Sequence, residues 1–247
     1  DVHPQIRGEC RGARAILRAV TVFETPEAML AKLVAIASPS SADPRFDRSN
    51  RAVVECIASY AESLGGSVEL RPVAGAVGKW NVVAQFGAGE GGLVLAGHSD
   101  TVPWDEQGWS SDPFVLTERD ERLVGLGATD MKAFFPSALH AISRVDRAKL
   151  KRPIVLVATA DEESGMYGAR SLVADGPLAG AQVVIGEPTG LVPVSMHKGV
   201  SQDRIVLTGL AGHASDPSLG VNALDAMVGV LQALVRHRAH LAETRRD

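Results

Sequence analysis

Apolar positions along the chain repeat with two different periods. After Thr25-Pro26-Glu27, a capping hydroxyl followed by proline at the first helical position, Met29, Leu30, Leu33, Val34 and Ala37 recur at helical spacing until Pro39 ends the run. A second helix is predicted where Val53, Val54, Ile57, Ala61 and Leu64 share a face, with Gly65-Gly66 as its stop. Four short apolar runs read as strands: Val82–Phe86, Leu93–Ala96, Ile154–Ala158 and Val183–Ile185. The last three are nearly all apolar, the pattern of strands buried on both faces. Helical patterns over about 129–147 and about 167–174 lie between strands. The stretch 114–125 predicts a hairpin, its polar turn centred on Asp120-Glu121. Strands alternating with helices imply an α/β fold, a mixed, mostly parallel sheet sandwiched by helices.

The pattern changes near residue 190. Thr189-Gly190 is a turn signal, and Ser201–Thr208 then reads as a more exposed strand in which Ile205 and Leu207 alternate with polar residues. Residues 221–241 read as an amphipathic helix. A domain boundary is expected there, separating a catalytic domain over 21–190 from the start of a small α+β domain over 191–247. Residues 1–20, with Arg7, Arg11, Arg14 and Arg18 and no long apolar core, do not read as a secretory signal and form a separate N-terminal segment.

Composition narrows the classes. Of 247 residues, 45% are apolar and 22% charged, with a net charge of -4, as in an ordinary globular protein. Lys and Arg are outnumbered and unclustered, which argues against nucleic acid as partner. No apolar run approaches the ~18 residues of a membrane span. Cys10 and Cys56 are too few for a disulfide framework and match no zinc knuckle, so a cytoplasmic setting is expected, with Cys56 a buried thiol.

Chemistry gathers where the strands end. Leu93–Ala96 runs into His98-Ser99-Asp100, Ile154–Ala158 into Asp161-Glu162-Glu163, and Val183–Ile185 into Gly186-Glu187. In open α/β sheets ligands bind beyond the carboxyl ends of strands. Asp130 joins from the start of a helix after the Gly125/Gly127 loop. Singly, each residue has a plain reading: a structural histidine, a helix cap, a solvated loop pair, turn chemistry before Pro188. Together, carboxylates converging on one sheet edge, with Lys132 the only cation in these loops, require a positive ion. One imidazole with carboxylates suits Zn2+, Co2+ or Mn2+ better than Ca2+. The carboxylates exceed what one tetrahedral ion uses, and two bridged ions would employ them.

The segments GHSDTVP (97–103), GWSSDPF (108–114), GATDMK (127–132), DEESG (161–165) and GEPTG (186–190) resemble the zinc-dependent metallopeptidase and deacylase family of acetylornithine deacetylase and succinyl-diaminopimelate desuccinylase. Within it, MHKG (196–199) and GHASDPSLGVNAL (212–224) look most like acetylornithine deacetylase. The resemblance spans about residues 25 to 235. It implies two Zn2+ ions per complete site, with His98 on one ion, Asp130 bridging, Glu163 on the second and Glu187 completing the first. It further implies Glu162 as general base, Asp100 as the carboxylate that orients His98, and a cis peptide after Asp130. His213, by itself an ordinary loop histidine, would by resemblance reach from a lid into a partner subunit's site and stabilise the oxyanion in a homodimer. His3, His140, His197, His237 and His240 carry no implied role.

Three features depart from the family pattern. The family's second ion takes a further histidine from a segment beyond the lid, and the present residues end at Asp247. The lid has only its first strand and helix. Pro136 falls inside the helix after Asp130, where it should kink that helix or shift its start. The resemblance implies hydrolysis of an N-acyl amino acid amide, N-acetylornithine to ornithine and acetate first. Succinyl-diaminopimelate or another acylated amino acid is the alternative substrate. The chain as given is expected to bind about one ion tightly and turn over little, so a metal-binding fragment without activity stands as a second reading. A sheet domain without metal is the third.

Overall fold

In the computed structural model, which describes residues 24–105, 107–176, 178, 180–199 and 203–244, the chain divides into two compact units, Asp1–Pro193 and Val194–Asp247. The segment 1–20, with His3 and Cys10, lies outside the described residues.

Among its described residues the first unit opens with α1 (Pro26–Ala35). Thr25 caps it by accepting a hydrogen bond from the Ala28 amide at 3.3 Å, and Met29, Leu30, Leu33 and Val34 are buried. Helix α2 (Arg51–Ser63) buries Val53, Val54, Ile57, Ala58 and Ala61. Gly65 then leaves the helix at φ 73°, a conformation natural to glycine. Among the described residues seven strands follow in chain order: β1 (Ser67–Pro72), β2 (Trp80–Phe86), β3 (Gly92–His98), β4 (Thr117–Arg119), β5 (Arg122–Val124), β6 (Ile154–Thr159) and β7 (Gly180–Ile185). Helices α3 (Phe134–Ser143) and α4 (Tyr167–Asp175) lie on either side of β6 in sequence. The predicted hairpin is β4–β5. Asp120 and Glu121 both have positive φ, 50° and 58°, which a two-residue hairpin turn with matching twist demands.

The main sheet has the order β1-β2-β6-β3-β7. β1 with β2 and β2 with β6 are antiparallel, while β6 with β3 and β3 with β7 are parallel, so the sheet is mixed, with two ladders of each kind. Alternate residues of β2 and β6 serve two cores. Val82, Ala84, Phe86, Leu156 and Ala158 pack with α1, α2 and α3. Val83, Val155 and Val157 pack with Val94 and with Leu172 of α4. That double duty explains the unbroken apolar run of β6.

Several expectations are corrected. β1 was not predicted; it is an exposed edge whose Val68 and Leu70 alternate with polar residues. β7 was expected to be buried on both faces, yet Val183, Val184 and Ile185 are 58%, 49% and 62% exposed. Among the described residues it pairs only with β3, as the opposite edge strand of the sheet. The helix expected from about 129 starts at Phe134, after a wide turn over Ala128–Lys132 in which Asp130 and Met131 leave helical angles. Pro136 thereby falls in the first turn of α3, where no intrahelical donor is lost. Cys56 is half-buried rather than buried, and burial raises its thiol pKa.

In the second unit, Ser201–Thr208 was expected to be a strand. Its described residues, 203–208, form none; the pairing found is a single bridge between Leu210 and Val221. Alternation alone does not make a strand without a ladder partner. Helix α5 (Ala223–Thr244) matches the amphipathic pattern, and Leu224, Val228, Leu231 and Val235 are exposed on it. No helix among the described residues is long and apolar enough to cross a membrane.

Candidate metal centre

Because β3 runs parallel to both β6 and β7, the carboxyl ends of all three strands share one edge. His98 ends β3 and is 2% exposed. Its Nε2 lies 2.9 Å from Asp130 Oδ1 and 3.9 Å from Glu187 Oε1. Its Nδ1 lies 3.0 Å from the backbone oxygen of Asp100. A carbonyl can only accept, so Nδ1 carries a proton; Nε2, when protonated, donates to the Asp130 carboxylate, and on losing that proton it leaves a neutral ring with its lone pair on Nε2. That is the tautomer a metal ligand needs.

Asp130 reaches the imidazole through an unusual backbone path. Gly127 adopts φ 72°, and a Cβ there would lie 2.4 Å from Thr101 Cγ2, so both conformation and space call for glycine. The Asp130–Met131 peptide is cis. The His98 amide donates to Met131 Sδ at 3.3 Å, which ties this turn to β3.

Two sets of potential donors result, each with its ligand atoms within 4.8 Å of one another: His98, Asp130 and Glu187, and His98, Glu162 and Glu163. The first set comprises the three residues expected to hold the first ion. In the second, Glu163 groups with Glu162 and His98 rather than with Asp130, and Glu162 lies among the donors. Asp100 also differs in part from expectation. Its carboxylate is 3.7 Å from His98 Nδ1, and the contact that orients the imidazole is the Asp100 backbone oxygen. The fully buried carboxylate instead accepts from Ser40 Oγ at 2.6 Å and from the Glu162 and Glu163 amides, each at 3.2 Å.

The electrostatics favour a cation. Burial, followed by the charges of Asp130, Glu162 and Asp100, pushes the Glu163 carboxyl up to about 7, with His98 opposing. Glu187 is raised by burial and then by Asp130, Glu162 and Asp100, again against His98. For His98 burial favours the neutral ring, but Asp100, Asp130 and Glu187 together outweigh it and raise its pKa. Lys132 does not serve as counter-ion. It is buried, and its Nζ donates to Leu33 O at 2.9 Å and Ile36 O at 2.7 Å, carbonyls at the end of α1. Burial lowers its pKa to about 8. One imidazole and four carboxylates, of which Glu163 and Glu187 are held above the usual carboxylate range, fit divalent ions such as Zn2+, Co2+ or Mn2+.

Two polar residues escaped the sequence reading. Lys79 is 3% exposed, and Asn81 is a buried amide in an apolar strand whose Oδ1 accepts from the Ala160 amide and whose Nδ2 donates to Gly168 O. The available signal was a polar residue inside β2; its partners lie far along the chain. His213 belongs to the second unit, is exposed, and has Nδ1 2.7 Å from Ser215 Oγ. A cavity of about 560 Å³ opens beside Glu187, walled by Leu30, Ala128, Phe134 and Pro188.

Comparison with known proteins agrees with this geometry. Residues 94–242 match the model of peptidase family M20/M25/M40. The chain is 44% identical to an acetylornithine deacetylase of Pasteurella multocida over 215 residues, 87% of this chain and 56% of that protein. It is 48% identical to that of Vibrio vulnificus over 206 residues, 83% of this chain and 54% of that protein. The chain thus spans about half the length of the curated relatives it matches. Among solved structures, human carnosine dipeptidase 1 aligns with a TM-score of 0.57 at 27% identity, over 65% of this chain and 38% of that one. A Staphylococcus aureus tripeptidase aligns at 0.54 and 20% identity, over 84% and 55%, a likeness of fold.

Proposed function

The chain belongs to peptidase family M20/M25/M40, and from that premise we propose that it carries the metal centre of an amidohydrolase that cleaves N-acetylornithine to ornithine and acetate. The observation that carries the reading is the convergence of His98, Asp130, Glu187, Glu162 and Glu163 on one sheet edge, with donor atoms within 4.8 Å in each set. Identity of 44% to 48% to acetylornithine deacetylases supports the substrate.

When bound, two divalent ions, Zn2+ first, would polarise the acyl oxygen and lower the pKa of a water. The chain's own residues do the rest. His98, Asp130 and Glu187 hold the first position, and Glu163 serves the second. Glu162 takes a proton from the attacking water as oxygen adds to the acyl carbon. When the C–N bond breaks, Glu162 delivers that proton to the departing amine. His213, offered from the partner subunit of a homodimer, stabilises the oxyanion. The enzyme works in the cytoplasm.

Turnover of N-acetylornithine against succinyl-diaminopimelate, with and without chelator, tests this. Faster cleavage of the acetyl substrate, lost in chelator and restored by Zn2+ or Co2+, is expected. Preference for the succinyl substrate would move the assignment to the sister activity. Metal uptake with no turnover of either would leave a metal-binding unit.

A further inference from the structure

The turn that delivers Glu162 and Glu163 is held from two sides. On one side the Asp100 carboxylate accepts both glutamate amides. On the other, Asp161 precedes them at φ 56°, a left-handed conformation, with its backbone oxygen accepting from the Gly165 and Met166 amides. The Asp161 side chain is buried against Lys79, Nζ to Oδ1 2.8 Å. Lys79 Nζ also lies 2.7 Å from Asp47 Oδ1 and donates to Arg48 O at 2.7 Å. Asp47 Oδ1 and Arg48 O take two of the ammonium protons, and the Asp161 carboxylate meets the group as a close ion pair.

A buried ammonium is retained only where its charge is met, and here two separate segments meet it, Asp47-Arg48 and the turn at Asp161. The Lys79 backbone is itself fixed, its carbonyl accepting from the Val73 amide at 2.9 Å. The next residues of β2 continue the clamp, since Asn81 holds the Ala160 amide just before Asp161. Lys79 touches none of the donor atoms of the metal centre. We propose that Lys79 is a positioning residue: its ion pair with Asp161 fixes the left-handed turn that sets Glu162 and Glu163 beside His98. The inference deepens the metal-centre reading above and rests on it for its consequence, though not for the geometry of the turn.

The test uses the whole chain with Lys79→Met, Lys79→Arg and Asp161→Asn, and two readouts. Hydrogen exchange of residues 160–166 is expected to quicken about tenfold or more in Lys79→Met, while β2 and β6 keep their protection. Lys79→Arg, which keeps the charge, recovers most of that protection. In Co2+ titrations followed by visible absorption, Lys79→Met weakens by about 10–100-fold the binding step that Glu163→Gln removes, and leaves the step that Glu187→Ala removes. Asp161→Asn gives the same local loosening and serves if Lys79→Met does not fold. Unchanged exchange at 160–166, exchange raised evenly over the sheet, or identical behaviour of the Met and Arg variants would overturn the proposal. A wild-type chain that takes up no Co2+ would sink the metal-centre reading, while the exchange comparison still decides the role of Lys79.

Discussion

His98 Nε2 lies 2.9 Å from Asp130 Oδ1 although the two residues come from different elements, the end of β3 and the turn before α3. The opposite ring nitrogen is committed to the Asp100 backbone oxygen. The pair therefore presents a fixed nitrogen and a fixed oxygen to one point. Replacing His98 or Asp130 with alanine should weaken Zn2+ binding by at least about 100-fold, more than the loss of an outer partner. Calorimetric titration would measure it; unchanged affinity would remove both from the ligand set.

Glu162 separates two roles. If Glu162 is the proposed general base, Glu162→Gln should cut the proposed turnover of N-acetylornithine by roughly 10²–10⁴-fold in kcat with metal content unchanged. Because Glu162 also lies among potential donors, elemental analysis of the same variant decides the matter. A parallel loss of metal would make it a ligand.

The raised Glu163 carboxyl predicts pH-dependent stability in the metal-free protein. Its ordinary value is 4.5 and its folded value about 7. Below pH 4.5 both folded and unfolded chains hold the proton, so this group contributes nothing. Between 4.5 and 7 the unfolded chain releases it first, and stability falls as pH rises; above 7 the penalty is complete. Glu163→Gln should therefore raise the melting temperature in chelator at pH 8, by an amount worth about 1 kcal/mol after solvent screening, and change it little at pH 4.5. Added Zn2+ should reverse the order of the two proteins. Thermal melts at both pH values, with and without ion, give the comparison.

Gly168 lets α4 approach β6. A Cβ there would meet the Ala160 backbone nitrogen at 2.4 Å and Asn81 Oδ1 at 2.5 Å. Backbone cannot step aside as a flexible side chain can. Gly168→Ala should cost about 1–3 kcal/mol in urea unfolding, and equal stability would show that α4 shifts freely.

Much of this was legible along the chain because it is local. The Thr25 cap, the Asp120-Glu121 turn, the apolar faces of α1 and α2, and the positions of β2, β3, β6 and β7 follow from residues a few places apart. The strand-end placement of His98, Glu163 and Glu187 was legible for the same reason, since a short run of β-branched residues marks where a strand stops. β1 was missed because an edge strand needs few apolar residues. Ser201–Thr208 misled because alternation does not supply a pairing partner.

The sequence by itself determined which segments can be helix or strand and which side chains arrive at the strand ends, since capping, periodicity and turn preferences act within a few residues. Only the tertiary structure decided that β3 lies between β6 and β7, so that three ends meet. It decided that Lys132 turns to the carbonyls of α1, leaving the carboxylates to a cation from outside the chain. It also paired Lys79 with Asp161 and made the Asp100 carboxylate hold peptide N–H groups while the Asp100 backbone oxygen holds the imidazole ring. Charges and hydrogen-bond donors find partners by distance in space, and no local pattern along a chain encodes that distance.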